Sequence, residues 1–114
     1  ILSDEASEIA GSLGMAASLN VGETFAMAQA QHGSAPSLAG KDQANPSSLI
    51  GSAAMLLRWI GERRDAPQFL AAADAIEQAI KKAVAKASTR TADLGGPLGT
   101  TAFTDGLLKM IKKP

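Results

Sequence analysis

The stretch His32-Gly33-Ser34-Ala35-Pro36-Ser37-Leu38-Ala39-Gly40-Lys41-Asp42-Gln43-Ala44-Asn45-Pro46 decides how this 114-residue chain is read. Small residues and two glycines let a backbone come close to a ligand. Asn45 followed by Pro46 signals a helix start, a capping side chain and then a residue whose missing N–H costs nothing in the first turn. A helix N-terminus offers N–H groups and a positive dipole end, which suits phosphate. Known phosphate motifs fit poorly. Gly40-Lys41-Asp42 has the Gly-Lys of a P-loop end, but Ala35 stands at the first Gly position and Asp42 replaces Ser/Thr. No G-x-G-x-x-G occurs. On these grounds the segment is either a nucleotide or anion loop or a plain connection.

Downstream, Pro46 to Gly61 holds Leu49, Ile50, Ala53, Ala54, Met55, Leu56, Leu57, Trp59 and Ile60, with almost no polar face before Arg58. That is the pattern of a buried helix, with Gly61 as its stop. From Ala66 to Ala87, Phe69, Ala73, Ile76, Ile80, Ala83 and Ala87 form one apolar stripe at helical spacing. Asp65 is its expected cap, and Glu77 with Lys81 its favourable i,i+4 pair. A third helix is expected from Ala102 to Lys112, capped by Thr100 or Thr101 and buried through Phe103, Leu107, Met110 and Ile111. Arg90 to Gly99, with Gly95-Gly96-Pro97, reads as loop.

Upstream, Met15–Val21 and Phe25–Gln31 read as two short strands joined by a turn at Asn20–Thr24. Ser3–Ala10 reads as a helix ended by Gly11. Two strands make no stable sheet alone. Either the helices support them or further strands lie in sequence beyond this stretch. The chain opens on Ile1 within an apolar turn, which suggests a piece of something longer.

Composition excludes several classes. Lys plus Arg and Asp plus Glu number 11 each, so no basic field gathers nucleic acid. No run of 18 apolar residues spans a membrane, and Ser3-Asp4-Glu5 after Ile1-Leu2 is no signal peptide. The absence of Cys removes disulfides, thiolate metal sites and Cys nucleophiles. A soluble cytoplasmic domain is the expectation.

The loop, from His32-Gly33-Ser34-Ala35-Pro36 through Ala39-Gly40-Lys41 to Ala44-Asn45-Pro46, resembles the dinucleotide loop of the isocitrate/isopropylmalate dehydrogenase family. Ala53-Ala54-Met55-Leu56-Leu57-Arg58 resembles the family's following helix, and Arg90-Thr91-Ala92-Asp93-Leu94-Gly95-Gly96 its late turn. Ile1-Leu2-Ser3-Asp4-Glu5-Ala6-Ser7 resembles its metal-site helix, and Gly11-Ser12-Leu13-Gly14-Met15 the segment after it. The resemblance covers the whole chain and the C-terminal third of family members. It implies an α/β fold seen as a C-terminal fragment, mostly helical with two short strands. The parts would be a metal-site helix at 1–11, two strands within 15–31, a dinucleotide loop at 32–46 and three helices within 46–112.

The same resemblance implies NAD or NADP and Mg²⁺ or Mn²⁺ as cofactors, a small 2-hydroxy acid as substrate, and a homodimer. His32 would stack by adenine and Asn45 would bond the adenine edge. Gly33, Ser34 and Ala35 would line ribose and phosphate, with Pro36, Ser37, Leu38 and Ala44 completing the cofactor set. Ser37 departs from the family, whose NAD users place Asp and NADP users Lys there, so cofactor choice stays open, with Lys41 a candidate phosphate partner. Asp4 would be one metal ligand. The family's catalytic Tyr and Lys and its substrate-binding arginines have no match here, so this chain alone is expected to be inactive. The alternatives are a non-catalytic helical interaction module and a truncated regulatory relative that keeps the loop.

Overall fold

Ala17–Val21 (β1) and Ala26–Ala30 (β2) pair antiparallel, with Ala17 opposite Ala30 and Val21 opposite Ala26. They belong to a computed structural model that describes residues 15–112. The expected Ser3–Ala10 helix and Asp4 lie outside that range. Three α-helices follow: Ser47–Arg63 (α1), Pro67–Ala85 (α2) and Thr100–Lys112 (α3). Short 3-10 turns occupy Pro36–Leu38, Ala87–Thr89 and Ala92–Leu94. The described chain is thus mostly helical beside a two-stranded sheet. No described helix is long and apolar enough to cross a membrane.

Both strands are shorter than expected, and Phe25 falls outside β2 with 81 % of its surface exposed. Strand β2 alternates, with Ala26, Ala28 and Ala30 half-buried and Met27 and Gln29 exposed, the two-residue period of a strand with one covered face. Alanines on that face let α1 come close. A Cβ added at Gly51 would stand 3.2 Å from the Ala17 Cβ.

Helix α1 departs from the expected all-round burial, although Ala54 is buried and Ile50, Leu56, Leu57, Trp59 and Ile60 are half-buried. Its buried residues are Ser47, Ser48, Ser52, Ala54 and Gly61, whereas Leu49, Ala53 and Met55 are exposed. The physical reason lies at the strand ends, whose backbone groups need partners. Ser52 Oγ accepts the Ser18 N–H at 3.0 Å and lies 2.8 Å from Gln29 O and 2.7 Å from Ser48 O, two acceptors for its single proton. Ser48 Oγ accepts the Gln31 N–H at 3.2 Å and donates to Ala16 O. Buried hydroxyls, rather than large apolar side chains, join helix to sheet.

Helix boundaries also shift. Gly61 does not stop α1, which runs on to Arg63. Gly61 is instead a crossing point, because a Cβ there would meet Leu70 Cγ and Cδ2 at 2.9 Å. Asp65 does not cap α2. It takes a left-handed φ of 48° in the link, and Ala66 is the N-cap without a side-chain bond. Glu77 joins Asp74 on Arg58 of α1, at 3.0 and 2.6 Å, in place of the expected partner Lys81. Helix α2 stops at Ala85, so Ala87 leaves the stripe for an exposed 3-10 turn. Arg90 Nε donates to Val84 O at 2.7 Å and closes the helix end. The core gathers Ala79, Ala83, Phe103 and Leu107 between α2 and α3, with Ile50, Ile80 and Leu98 against it.

Candidate functional site

Strand β2 delivers the chain to His32, and the loop that follows returns it to α1. Between them lies a cavity of about 530 Å³ lined by His32, Gly33, Ser34, Ala35, Leu38, Ala39, Gln43, Ala44, Asn45 and Asp93. That size falls within the range of about 300–1,000 Å³ usual for small-molecule sites. Seven of the nine residues expected to contact a cofactor share this wall. Pro36 and Ser37 do not; they form the exposed outer turn between Ala35 and Leu38.

The turn is built on a strained residue. Ala35 has φ 41° and ψ 64°, a left-handed conformation that non-glycine residues seldom adopt. Its carbonyl accepts the Leu38 N–H at 2.9 Å, which closes the 3-10 turn. Such strain persists only where neighbouring structure enforces it, and it gathers at ligand clamps. The exposed His32 ring has Nδ1 2.8 Å from Gly33 O. A carbonyl only accepts, so Nδ1 donates; in the tautomer with its proton on Nδ1, Nε2 is the acceptor.

Asn45 is buried, and its amide has two jobs. Its Oδ1 accepts the Ser47 N–H at 2.9 Å, and its Nδ2 donates to Asp93 Oδ2 at 3.1 Å. Pro46, not Asn45, is the formal N-cap of α1, but the Asn45 side chain still satisfies one of the orphan donors there. Asp93 arrives on the 3-10 turn Ala92–Leu94, and the wholly buried Thr91 donates its hydroxyl to Asp93 Oδ1 at 2.5 Å.

Ala39, Gln43 and Asp93 were not among the expected cofactor contacts. Asp93 carried a signal, since it sits in the Arg90–Gly96 stretch already set apart as a motif. Helix α3 starts at Thr100 rather than Ala102, and its N-terminus is held by Asp42, whose Oδ1 accepts the Thr101 N–H at 2.8 Å. The Thr101 hydroxyl and then its N–H hold the Asp42 carboxyl below its ordinary range, with slight desolvation opposing. Among the described residues no three His, Asp or Glu side chains gather as a metal site. Asp4 lies outside the described residues.

This arrangement of sheet, loop and helices matches part of much larger dehydrogenases. Isocitrate dehydrogenase from Methylococcus capsulatus superposes with a TM-score of 0.86 at 35 % identity, over 98 % of this chain and 32 % of that one. A beta-decarboxylating dehydrogenase from Thermococcus kodakarensis gives 0.80, also at 35 % identity, over 97 % and 30 %. The family model for isocitrate/isopropylmalate dehydrogenase matches residues 1–107, and the chain belongs to that family. In sequence it is 44 % identical to the isocitrate/homoisocitrate dehydrogenase of Thermus thermophilus over 112 residues, 98 % of this chain and 31 % of that protein. The chain therefore spans about a third of the length of the relatives it matches.

Proposed function

We propose that this chain forms the adenosine-binding wall of an NAD- or NADP-dependent dehydrogenase that oxidises a 2-hydroxy acid and decarboxylates the β-keto acid produced. The observation that carries this reading is the gathering of His32–Ala35, Leu38, Ala44 and Asn45 on one cavity of suitable size. The His32 ring offers a stacking face for adenine and Nε2 as an acceptor. One Asn45 amide hydrogen is committed to Asp93; the other is the donor we assign to an adenine ring nitrogen. The bond to Asp93 fixes which way the amide faces, so recognition of the base needs no reorganisation. Small residues at Gly33 to Ala35 let the ribose and phosphate lie against the backbone.

The substrate belongs to the class of 2-hydroxy acids. Isocitrate/homoisocitrate dehydrogenase of T. thermophilus and 3-isopropylmalate/3-methylmalate dehydrogenase of Methanocaldococcus jannaschii match this stretch at 44 and 40 % identity. Relatives named for different acids thus share it to nearly the same degree. Asp4 is our candidate for one ligand of a divalent ion, which when bound would supply polarisation of the hydroxyl and keto oxygens. The described residues supply no further cluster for it, and a lone carboxylate falls short of the near-octahedral set Mg²⁺ needs.

Calorimetric titration of the chain with NAD and with NADP tests the reading. Saturable binding of at least one dinucleotide is expected. His32→Ala should weaken it roughly tenfold, since stacking on a base is worth about 1–3 kcal/mol. Absence of saturable binding by both dinucleotides would overturn it.

A further inference from the structure

Three cavity-wall residues, Gln43, Ala44 and Asn45, end a loop with no core of its own, for residues 40–44 are all exposed. What holds this loop comes from far away in sequence. Asp42 Oδ1 accepts both the Thr101 N–H at 2.8 Å and the Thr101 hydroxyl at 2.7 Å. Asp42 O accepts the Thr100 N–H at 3.1 Å, and the Thr100 hydroxyl donates to Ala44 O. Four bonds thus tie two loop residues to the first turn of α3. Asp42 accepts three of them at φ 53°, a left-handed conformation that Asp tolerates better than most residues. Gly99 completes the contact, since a Cβ there would stand 2.4 Å from Asp42 O.

We propose that Asp42 and the Thr100-Thr101 pair form a clamp that sets the shape of the cavity wall at Gln43–Asn45. Asp42 is then a positioning residue for the dinucleotide, acting through the loop without lining the cavity itself. This inference rests on the adenosine reading of the cavity. The geometry supports it in two ways. The bonded groups on α3 precede Phe103, which is buried in the core, so the clamp is anchored on a helix packed into that core. The residue held in a strained conformation is also the one with the most bonds from outside, as expected when surrounding structure over-determines a backbone.

The deciding variant is Thr100→Val with Thr101→Val. It deletes two hydroxyl donors while leaving the loop sequence and both backbone donors intact. Backbone order parameters at Gln43 and Ala44 should fall from about 0.85 to below about 0.6, while those of Ala79 and Ala83 stay high. NAD or NADP should bind roughly tenfold more weakly, the equivalent of two ordinary hydrogen bonds partly replaced by water. Asp42→Asn alone, which keeps an acceptor oxygen for Thr101, should retain loop order and stay within about threefold of the original affinity. Unchanged order in the double variant overturns the clamp, and lost order with unchanged affinity overturns its role toward the cofactor. If the unaltered chain binds neither dinucleotide while the variant loosens the loop, the adenosine reading and the positioning role fall together and the clamp alone survives. Should the double variant unfold, seen as lost order at Ala79 and Ala83, Thr101→Val alone decides by the same two readouts.

Discussion

Asn45 and Asp93, 48 residues apart in sequence, meet on the cavity wall with Nδ2 donating to Oδ2 at 3.1 Å. The contact joins the loop motif to the Arg90–Gly96 motif. Each partner is also held from behind, Asn45 by the Ser47 N–H and Asp93 by the Thr91 hydroxyl. The amide can therefore present only one orientation to a ligand.

Asn45→Asp should turn this contact into repulsion between two carboxylates about 3 Å apart while keeping an acceptor for Ser47. At pH 7 the variant should lose about 1 kcal/mol or more, a figure discounted because Asp93 is exposed. One carboxyl of the pair would have its folded pKa raised above its unfolded value. The penalty should therefore vanish as pH falls and grow as pH rises. Urea midpoints of variant and original chain at pH 7 and pH 4 should converge at the lower pH. A constant gap would mean that the two groups do not face each other.

A candidate ligand loop was legible here because the stretch is local, while the residues assigned to the wall came from the family resemblance. His32 through Ala35, Leu38, Ala44 and Asn45 sit in one run of small residues, with a turn residue or helix start at either end. Asp42 was not legible as a support of the wall, since its partner Thr101 lies 59 residues away; Asp93 stood in a marked motif, but nothing in spacing predicts its contact with Asn45, 48 residues away. The helices were readable from apolar periodicity, but the face of α1 was not. Hydropathy scores Ser48 and Ser52 as solvent-facing, whereas here they satisfy strand backbone in a site too tight for larger side chains. Gly61 misled for a related reason: it permits close helix contact with Leu70, and at Gly that looks the same as a helix stop.

Ser52→Ala should be costly for so small a change. The hydroxyl is wholly buried and is the acceptor for the Ser18 N–H. Removing it leaves that donor unmet, at a cost of about 1–3 kcal/mol. Chemical denaturation should show a lower midpoint with unchanged slope. A loss below about 0.5 kcal/mol would mean that water replaces the hydroxyl.

Gly61→Ala should destabilise despite better helix propensity. The gain of roughly 0.5–1 kcal/mol from replacing a mid-helix glycine is set against contacts at 2.9 Å with Leu70 side-chain carbons and 3.1 Å with its nitrogen. Overpacking of this kind costs about 1–3 kcal/mol. Adding Leu70→Ala should recover part of the loss, and a double-mutant cycle reads the coupling. Strict additivity would place the strain elsewhere.

Asp42 predicts a small acid-limb effect. Hydrogen bonds from the Thr101 hydroxyl and N–H hold its folded pKa below the ordinary carboxylate value. A depressed folded pKa stabilises the protein above the unfolded pKa, and that stabilisation is lost as pH falls through the folded one. Asp42→Asn cannot titrate, so its stability should fall less steeply than that of the original chain as pH drops below the ordinary carboxylate range. Parallel acid profiles would mean that the carboxylate is not bonded to Thr101 in solution.

Ser37→Asp should shift dinucleotide preference toward NAD. Ser37 is exposed on the 3-10 turn between the wall residues Ala35 and Leu38, and its hydroxyl carries no charge. A carboxylate at this position accepts a hydrogen bond from a ribose 2′-hydroxyl and repels a 2′-phosphate. A charge-assisted hydrogen bond is worth about 1.5–3 kcal/mol, so the ratio of NAD to NADP affinity should rise roughly tenfold or more. The two contributions separate with salt. Repulsion between exposed charges weakens as the Debye length shrinks from about 10 Å at 0.1 M to about 3 Å at 1 M, whereas a direct hydrogen bond persists. Titrations of the Ser37→Asp chain with both dinucleotides at low and high salt should show the NADP penalty relaxing while the NAD gain remains. An unchanged ratio at low salt would place the ribose away from residue 37 and leave the choice of cofactor to other side chains.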